Sequence, residues 1–314
     1  MSLLRLLIFS FILFFFISCV KELPVSPENT SSKFVLTCLL TNEDVQKLTL
    51  TKSKAFYSGN NFEDVPAAII TLYEDEKEIG FFTKSSNSEW QLTYKPIPGK
   101  KYQIVVEVAG NRILKSTTTM PEKTDISFEG VMDENATKIF SQQSHASTFW
   151  MFILQSTLDD PIYSIHPPTL EEDPFPRLSF EIGTDHQDAD RFNQEGSAVE
   201  FIPEFGNTLA YKYYVRITPN AAITKQTPYR FRVQHRMTNA SFIVFRHVSS
   251  EYDKYLKTIC EKKSFYESED DPAKWFDENI IYSNIENGLG IFGAYIQESY
   301  YYNNTIINHE KKTN

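Results

Sequence analysis

Apolar and polar positions alternate with a strict period of two along much of this chain. Tyr102, Ile104, Val106 and Val108 fall on one face of an extended segment, and the residues between them on the other. That is the signature of a half-buried strand. Gln46 to Leu50 alternates in the same way, Phe34 to Leu40 and Ala67 to Tyr73 are apolar runs of strand length, and Gly80 to Thr83 is a shorter one. Pro96-Ile97-Pro98-Gly99 marks a loop and Ala109-Gly110-Asn111-Arg112 a turn, after which Ile113 to Thr119 returns as a partner strand. No helical period interrupts Phe34 to Met120, so the pattern predicts an immunoglobulin-like or fibronectin-like sandwich of about seven strands. Met120-Pro121 is the expected domain boundary.

Beyond it the pattern predicts a second β-rich domain, residues 121–302, with one or two helices. Phe149 to Leu154 is apolar throughout, as in a strand buried on both faces. Asp159 to Pro176 holds five prolines and three successive acids and reads as a long loop. Tyr211 to Thr218, Tyr229 to Met237 and Ser241 to Val248 read as strands. Tyr252, Tyr255, Leu256, Ile259 and Cys260 form one helical stripe, capped by Ser249 or Ser250 and supported by an i,i+4 pair of Asp253 with Lys257. Ile280 to Tyr302 reads as strand, and residues 303–314 as a frayed tail.

The first residues obey different rules. Arg5 is followed by the uncharged apolar run Leu6 to Ile17 and then by Ser18-Cys19, the layout of a secretory signal. Phe16-Ile17-Ser18-Cys19 resembles the lipobox of bacterial lipoproteins, which implies acylation of Cys19 and a signal peptide of residues 1–18. Val20 to Lys33, with two prolines and little apolar pattern, reads as a flexible tether. The signal's apolar core is shorter than the ~20 residues that span a bilayer, and no later run approaches that length.

Removing Met1 to Ser18 from the 314 residues leaves 296 and takes away one charge, Arg5, so the net charge moves from -10 to -11. An acidic chain of this kind is not a nucleic-acid binder, since phosphates demand clustered Lys and Arg. Adsorption to anionic lipid by charge alone is equally disfavoured, so membrane attachment is expected through the lipid. Cys38 and Cys260 read as buried small hydrophobes, with a disulfide between them open.

Candidate chemistry is thin. Gly288-Leu289-Gly290-Ile291-Phe292-Gly293 matches GxGxxG, but the dinucleotide motif needs a helix after its last glycine and an acidic residue about 20 positions on. Here a strand pattern follows and the chain ends, so Asn287-Gly288 reads as a tight turn with positive φ. Asp185, Asp188 and Asp190, around His186, could offer oxygen ligands to calcium, but their order departs from the EF-hand pattern. Glu171-Glu172-Asp173 and Glu267 to Asp271 read as solvated charge. His235 lies on the apolar face of a strand and reads as a core histidine. Trp90, Trp150 and Trp275 could form a sugar-stacking platform, although core packing explains them. No GxSxG, HExxH or CxxC spacing occurs, and no catalytic, cofactor or metal residue is assigned.

The lipobox at Cys19, the strand-rich module around Tyr102 to Val108 and the run Ile281 to Gly293 together resemble a Bacteroidota lipoprotein family, domain of unknown function 4249 (DUF4249). The helix around Tyr252 to Leu256 sits where that family has one. The resemblance implies an outer-membrane lipoprotein, at the cell surface in preference to the periplasmic face, serving as a binding or accessory partner of a TonB-dependent receptor in substrate capture. Lys21-Glu22 partly matches surface-export signals of the phylum, and Val20 in place of Asp removes the enteric retention signal. The family offers no catalytic residues to carry over. The alternative is a surface or periplasmic hydrolase of glycans or peptides, motivated by the abundance of acids and aromatics.

Overall fold

The period-two segments fold as strands whose alternate residues are buried. In the computed structural model, β1 (Phe34–Leu40) buries Phe34, Leu36, Cys38 and Leu40, and β2 (Val45–Ser53) buries Gln46, Leu48 and Leu50. There follow β3 (Phe62–Asp64), β4 (Ala68–Glu74), β5 (Lys77–Phe81), β6 (Thr83–Ser86), β7 (Glu89–Thr93), β8 (Lys101–Val108) and β9 (Arg112–Thr119). Nine strands therefore stand where about seven were expected. The second half supplies β10 (Val131–Met132), β11 (Lys138–Gln142), β12 (Phe149–Gln155), β13 (Ile182–Thr184), β14 (Val199–Phe201), β15 (Leu209–Tyr211), β16 (Tyr214–Ile217), β17 (Tyr229–Val233) and β18 (Ser241–Val248). Helix α1 (Ser250–Glu267), β19 (Leu289–Asn303) and β20 (Ile306–His309) complete the chain. The structure describes residues 32–53, 62–108, 112–122, 131–132, 138–142, 147–155, 182–184, 188–190, 199–201, 209–211, 214–218, 229–233, 241–267, 281–303 and 306–309.

The protein is mainly β, with three sheets and one helix among the described residues. A ten-stranded sheet runs β16-β12-β18-β19-β1-β2-β7-β6, with β20 on β19 and β3 on β2. A four-stranded sheet runs β5-β4-β8-β9, and a six-stranded one β10-β11-β17-β13-β15-β14. The four-stranded sheet packs on β1, β2, β7 and β19 through Leu36, Leu50, Ile70, Ile104, Val106, Leu114 and Phe292, which makes a β-sandwich.

The expected boundary at Met120-Pro121 does not divide the sheets. β19, from the second half, lies parallel to β1, with Val35 opposite Leu289 and Leu40 opposite Ala294. Ile285, Phe292, Ala294 and Ile296 belong to the sandwich core. A parallel pair needs no local turn, so strands far apart in sequence can meet in this way. Two further expectations are corrected. The strand expected from Ile280 begins at Leu289, because residues 281–288 run irregularly across β9. The tail expected to fray instead holds β20, which turns back on β19 with Tyr302 opposite Ile307.

Helix α1 covers the other face of β19. Ser249 is its N-cap, the Oγ accepting from Tyr252 N at 3.3 Å and from Ala294 N at 3.1 Å. Tyr252 and Leu256 are buried against Trp150, Phe152, Val244, Val248 and Tyr295, which is the inner stripe that the spacing predicts. Thr118 Oγ1 donates to Glu251 in the first turn at 2.9 Å, which fastens the helix start to β9.

Candidate functional site

Cys19 and the tether up to Ser31 lie outside the described residues, as do His235, Trp275, Asp185, His186 and Glu171-Glu172-Asp173. Glu267 closes α1, and the acidic run after it is likewise outside. Cys38 is a buried free thiol in the sandwich core, where burial pushes its pKa up. It forms no disulfide, and Cys260 lies in α1. Trp90 and Trp150 are both buried, so neither offers a ring to a sugar. Asp188 and Asp190 flank Ala189, which is bridged to Ile217, and Asp190 faces two cations, Arg216 and Lys257. Among the described residues no group of three or more His, Cys, Asp or Glu is placed to hold a metal ion.

The glycine motif is a packing device. Asn287 takes φ of 61°, the turn conformation expected there, and Gly290 takes φ of 111°. A Cβ on Gly290 would stand 1.9 Å from the Leu36 carbonyl oxygen, and one on Gly293 would stand 2.8 Å from Tyr252 Cβ. Gly288 is tight against the Phe34 carbonyl oxygen at 3.0 Å. The glycines thus admit β1 on one side and α1 on the other, and the strand that follows them supplies no helix N-terminus for a phosphate. Just before the glycines, Asn284 does the work of a strand residue with its side chain. Its Oδ1 accepts from Phe292 N at 2.9 Å, and its Nδ2 donates to Phe292 O at 2.7 Å.

The densest polar feature lies beneath α1. The register aligns Arg216, Trp150, Arg246 and Gln297 in one row across β16, β12, β18 and β19. Arg216 donates from Nε to Asp253 Oδ1 at 2.7 Å and from Nη2 to Oδ2 at 2.6 Å, a bidentate pair. Trp150 Nε1 donates to the same Oδ1 at 3.0 Å, and Arg216 Nη1 reaches Asp190. Burial works against the Arg216 charge, but Asp253 and Asp190 outweigh it and push its pKa up. Asp253 therefore serves the sheet rather than the expected partner Lys257. Beside it, Arg246 is only 1% exposed. Its guanidinium carbon lies 5.1 Å from the Phe152 ring centre and 4.8 Å from that of Tyr295. Its Nε and Nη2 donate to Gln297 Oε1 at 3.0 and 2.7 Å, and Nη1 donates to the Tyr252 hydroxyl at 3.3 Å. Aromatic faces and neutral acceptors stabilise this buried cation. The chemistry of the row is positioning: it fixes the roll of α1 on the sheet.

A smaller cluster stands at the far end of the sandwich. The phenols of Tyr94 and Tyr102 both donate to Glu74 Oε2, Tyr102 at 2.6 Å, while Ile97 N donates to the Tyr102 hydroxyl at 2.8 Å. Burial and then the Glu74 carboxylate push the Tyr102 pKa up. This pins the loop at Pro96 to Gly99. Sequence reasoning missed Arg216 and Arg246, although each is an arginine within a mostly apolar strand and could have been singled out.

One solved structure that is similar, from Corynebacterium diphtheriae, is provisionally described as a membrane anchored protein. It is 8% identical, with a TM-score of 0.23 over 69% of this chain, and the chain spans about half of that structure's length, 54%. No curated protein matches the sequence. No helix among the described residues is long and apolar enough to cross a membrane. A family model, domain of unknown function (DUF4249), matches residues 20–300, and the chain belongs to that family.

Proposed function

We propose that this protein is an outer-membrane lipoprotein, acylated at Cys19, that acts at the cell surface as a binding or accessory component beside a TonB-dependent receptor in substrate capture. The observation that carries the reading is the amino-terminal layout, a basic Arg5, an uncharged apolar run to Ile17, then Ser18-Cys19 and a polar tether. The family match begins at residue 20, directly after that cysteine. A single acyl chain binds a bilayer only marginally, so the multiply acylated form is the one that would hold an acidic chain at the membrane.

Metabolic labelling with a clickable palmitate in the native host tests the anchor. The wild-type chain is expected in the outer-membrane fraction with label, and Cys19→Ser without label and either released or unprocessed. A Cys19→Ser chain that is still processed and membrane-bound refutes the anchor. Protease treatment of intact cells should degrade the wild-type chain, and protection would put it on the periplasmic face. Affinity capture from mildly solubilised membranes at low salt should recover a TonB-dependent receptor, and recovery of none above background refutes the partnership.

A further inference from the structure

Four of the eight large apolar side chains that are exposed among the described residues, Phe62, Ile69, Ile113 and Leu289, gather at the end of the sandwich where Lys33 leads into β1. Lys33 is fixed there beside Ser53, its N donating to Ser53 Oγ at 2.8 Å and its carbonyl accepting from Ser53 N at 2.8 Å. Phe62, opposite Ser53, is 55% exposed. Leu289, opposite Val35, is 40% exposed. Asn287 Nδ2 donates to Ile113 O at 3.0 Å, which brings Ile113 to the same end, at 48% exposure. In the four-stranded sheet Ile113, Glu107 and Ile69 lie in one row, so Ile69 at 56% shares that outer face.

We infer that this tip rests on the lipid bilayer and buries these four side chains in its interfacial region. The inference depends on the lipid-anchor reading. Residues 20–32 can reach at most about 45 Å, by chain length alone. The far end of β1, seven residues on, is roughly 23 Å further from the anchor. The tether therefore holds this tip against the membrane at high local concentration. Charge does not drive the contact, because Lys33, Lys52 and Arg112 share this end with Glu63, Glu107 and Glu286. Apolar contact at the tip adds to the hold that the acyl chains supply.

Tryptophan quenching by brominated lipid tests this in the full acylated chain reconstituted into phosphatidylcholine and phosphatidylglycerol vesicles. Phe62→Trp and Ile113→Trp probe the tip, and both positions are exposed enough to accept the larger ring without refolding the core. Val45→Trp and Ile97→Trp serve as references, since both are exposed and Val45 begins β2 opposite Thr93 at the other end. The expected result is loss of added emission at 62 and 113 and none at 45 and 97, with unchanged thermal melting. Vesicles that float the protein while 62 and 113 stay unquenched overturn the inference alone, whether or not the tip is then found against a second copy of the chain. A chain that does not float and carries no acyl mass overturns the anchor reading, and the inference with it.

Discussion

Gly290→Ala tests the packing account of the glycine run most directly. The new Cβ would lie 1.9 Å from Leu36 O, 2.8 Å from Leu36 C and 3.1 Å from Leu36 N, whereas ordinary contact begins at 3.4 Å. All three atoms are backbone, so no side chain can rotate away. β1 and β19 would have to part by more than 1 Å where Leu36 faces Gly290, breaking two ladder hydrogen bonds worth about 1 kcal/mol each. The φ of 111° adds strain of about 1–3 kcal/mol for an L side chain. Together these give roughly 3–5 kcal/mol, a large part of the ~5–15 kcal/mol that holds a domain folded. Gly293→Ala should cost less, because the 2.8 Å clash is with Tyr252 Cβ on a helix that can shift. Gly80→Ala is the control, with an ordinary 3.6 Å contact to Leu92 and no positive φ. It should be neutral, or stabilising by about 0.5 kcal/mol through lower unfolded-state entropy. Urea denaturation followed by tryptophan fluorescence ranks the three. A Gly290→Ala midpoint equal to that of Gly80→Ala would refute the close approach of β1 to β19.

Asp253→Asn should destabilise by about 2–4 kcal/mol, since it breaks a buried ion pair while Asp190 still faces Arg216. In the same urea assay a double-mutant cycle with Arg216→Met should give a coupling above about 1 kcal/mol, and additivity would refute the pairing. Asn284→Ala removes two bonds to Phe292 and should lower stability by about 2 kcal/mol, with Asn284→Asp no better because it cannot donate to Phe292 O. Burial, with Tyr252 second, raises the Tyr255 pKa from its ordinary value of 10.0 to about 12. A raised pKa means that the folded chain holds a proton the unfolded chain loses, so this contribution is complete below pH 10 and falls away toward pH 12. Tyr255→Phe should flatten that part of the stability-versus-pH curve measured by urea melts, and an unchanged slope would refute it. A fragment of residues 32–122 should fail to melt cooperatively by circular dichroism, because β1 would lose its parallel partner and the core would lose Phe292, Ala294 and Ile296.

Local rules made the sandwich strands legible, because alternation and turn residues act over a few positions. The same holds for the Ser249 cap and the inner stripe of α1, and for the positive φ of Asn287. Partner choice was not legible. Asp253 has Lys257 within reach on its own helix, yet takes Arg216, 37 residues back, since a buried guanidinium needs a carboxylate more than a half-exposed lysine does. The pairing of β1 with β19 is hidden for a similar reason: period two says which residues are buried, but not against which strand. The gathering of Phe62, Ile113 and Leu289 was not legible either, because they meet only through pairings with β2, β8 and β1 and through Asn287.

The run from Ile281 to Gly293 lies within the family match, and the geometry explains why it is so rich in Asn and Gly. It lies where both sheets of the sandwich and α1 converge. Ser116 Oγ donates to Asn284 O at 2.8 Å, Glu286 N to Lys115 O at 2.9 Å and Asn287 Nδ2 to Ile113 O at 3.0 Å, so β9 is stitched to the segment residue by residue. Within a few residues the same segment becomes β19, which needs glycine at 290 to meet β1 and glycine at 293 to seat Tyr252. A backbone that makes contacts on three sides has little room for Cβ atoms and much need for short amides that replace ladder bonds. Asn and Gly meet those two needs. The composition that imitates a nucleotide fingerprint is thus what closing this sandwich demands.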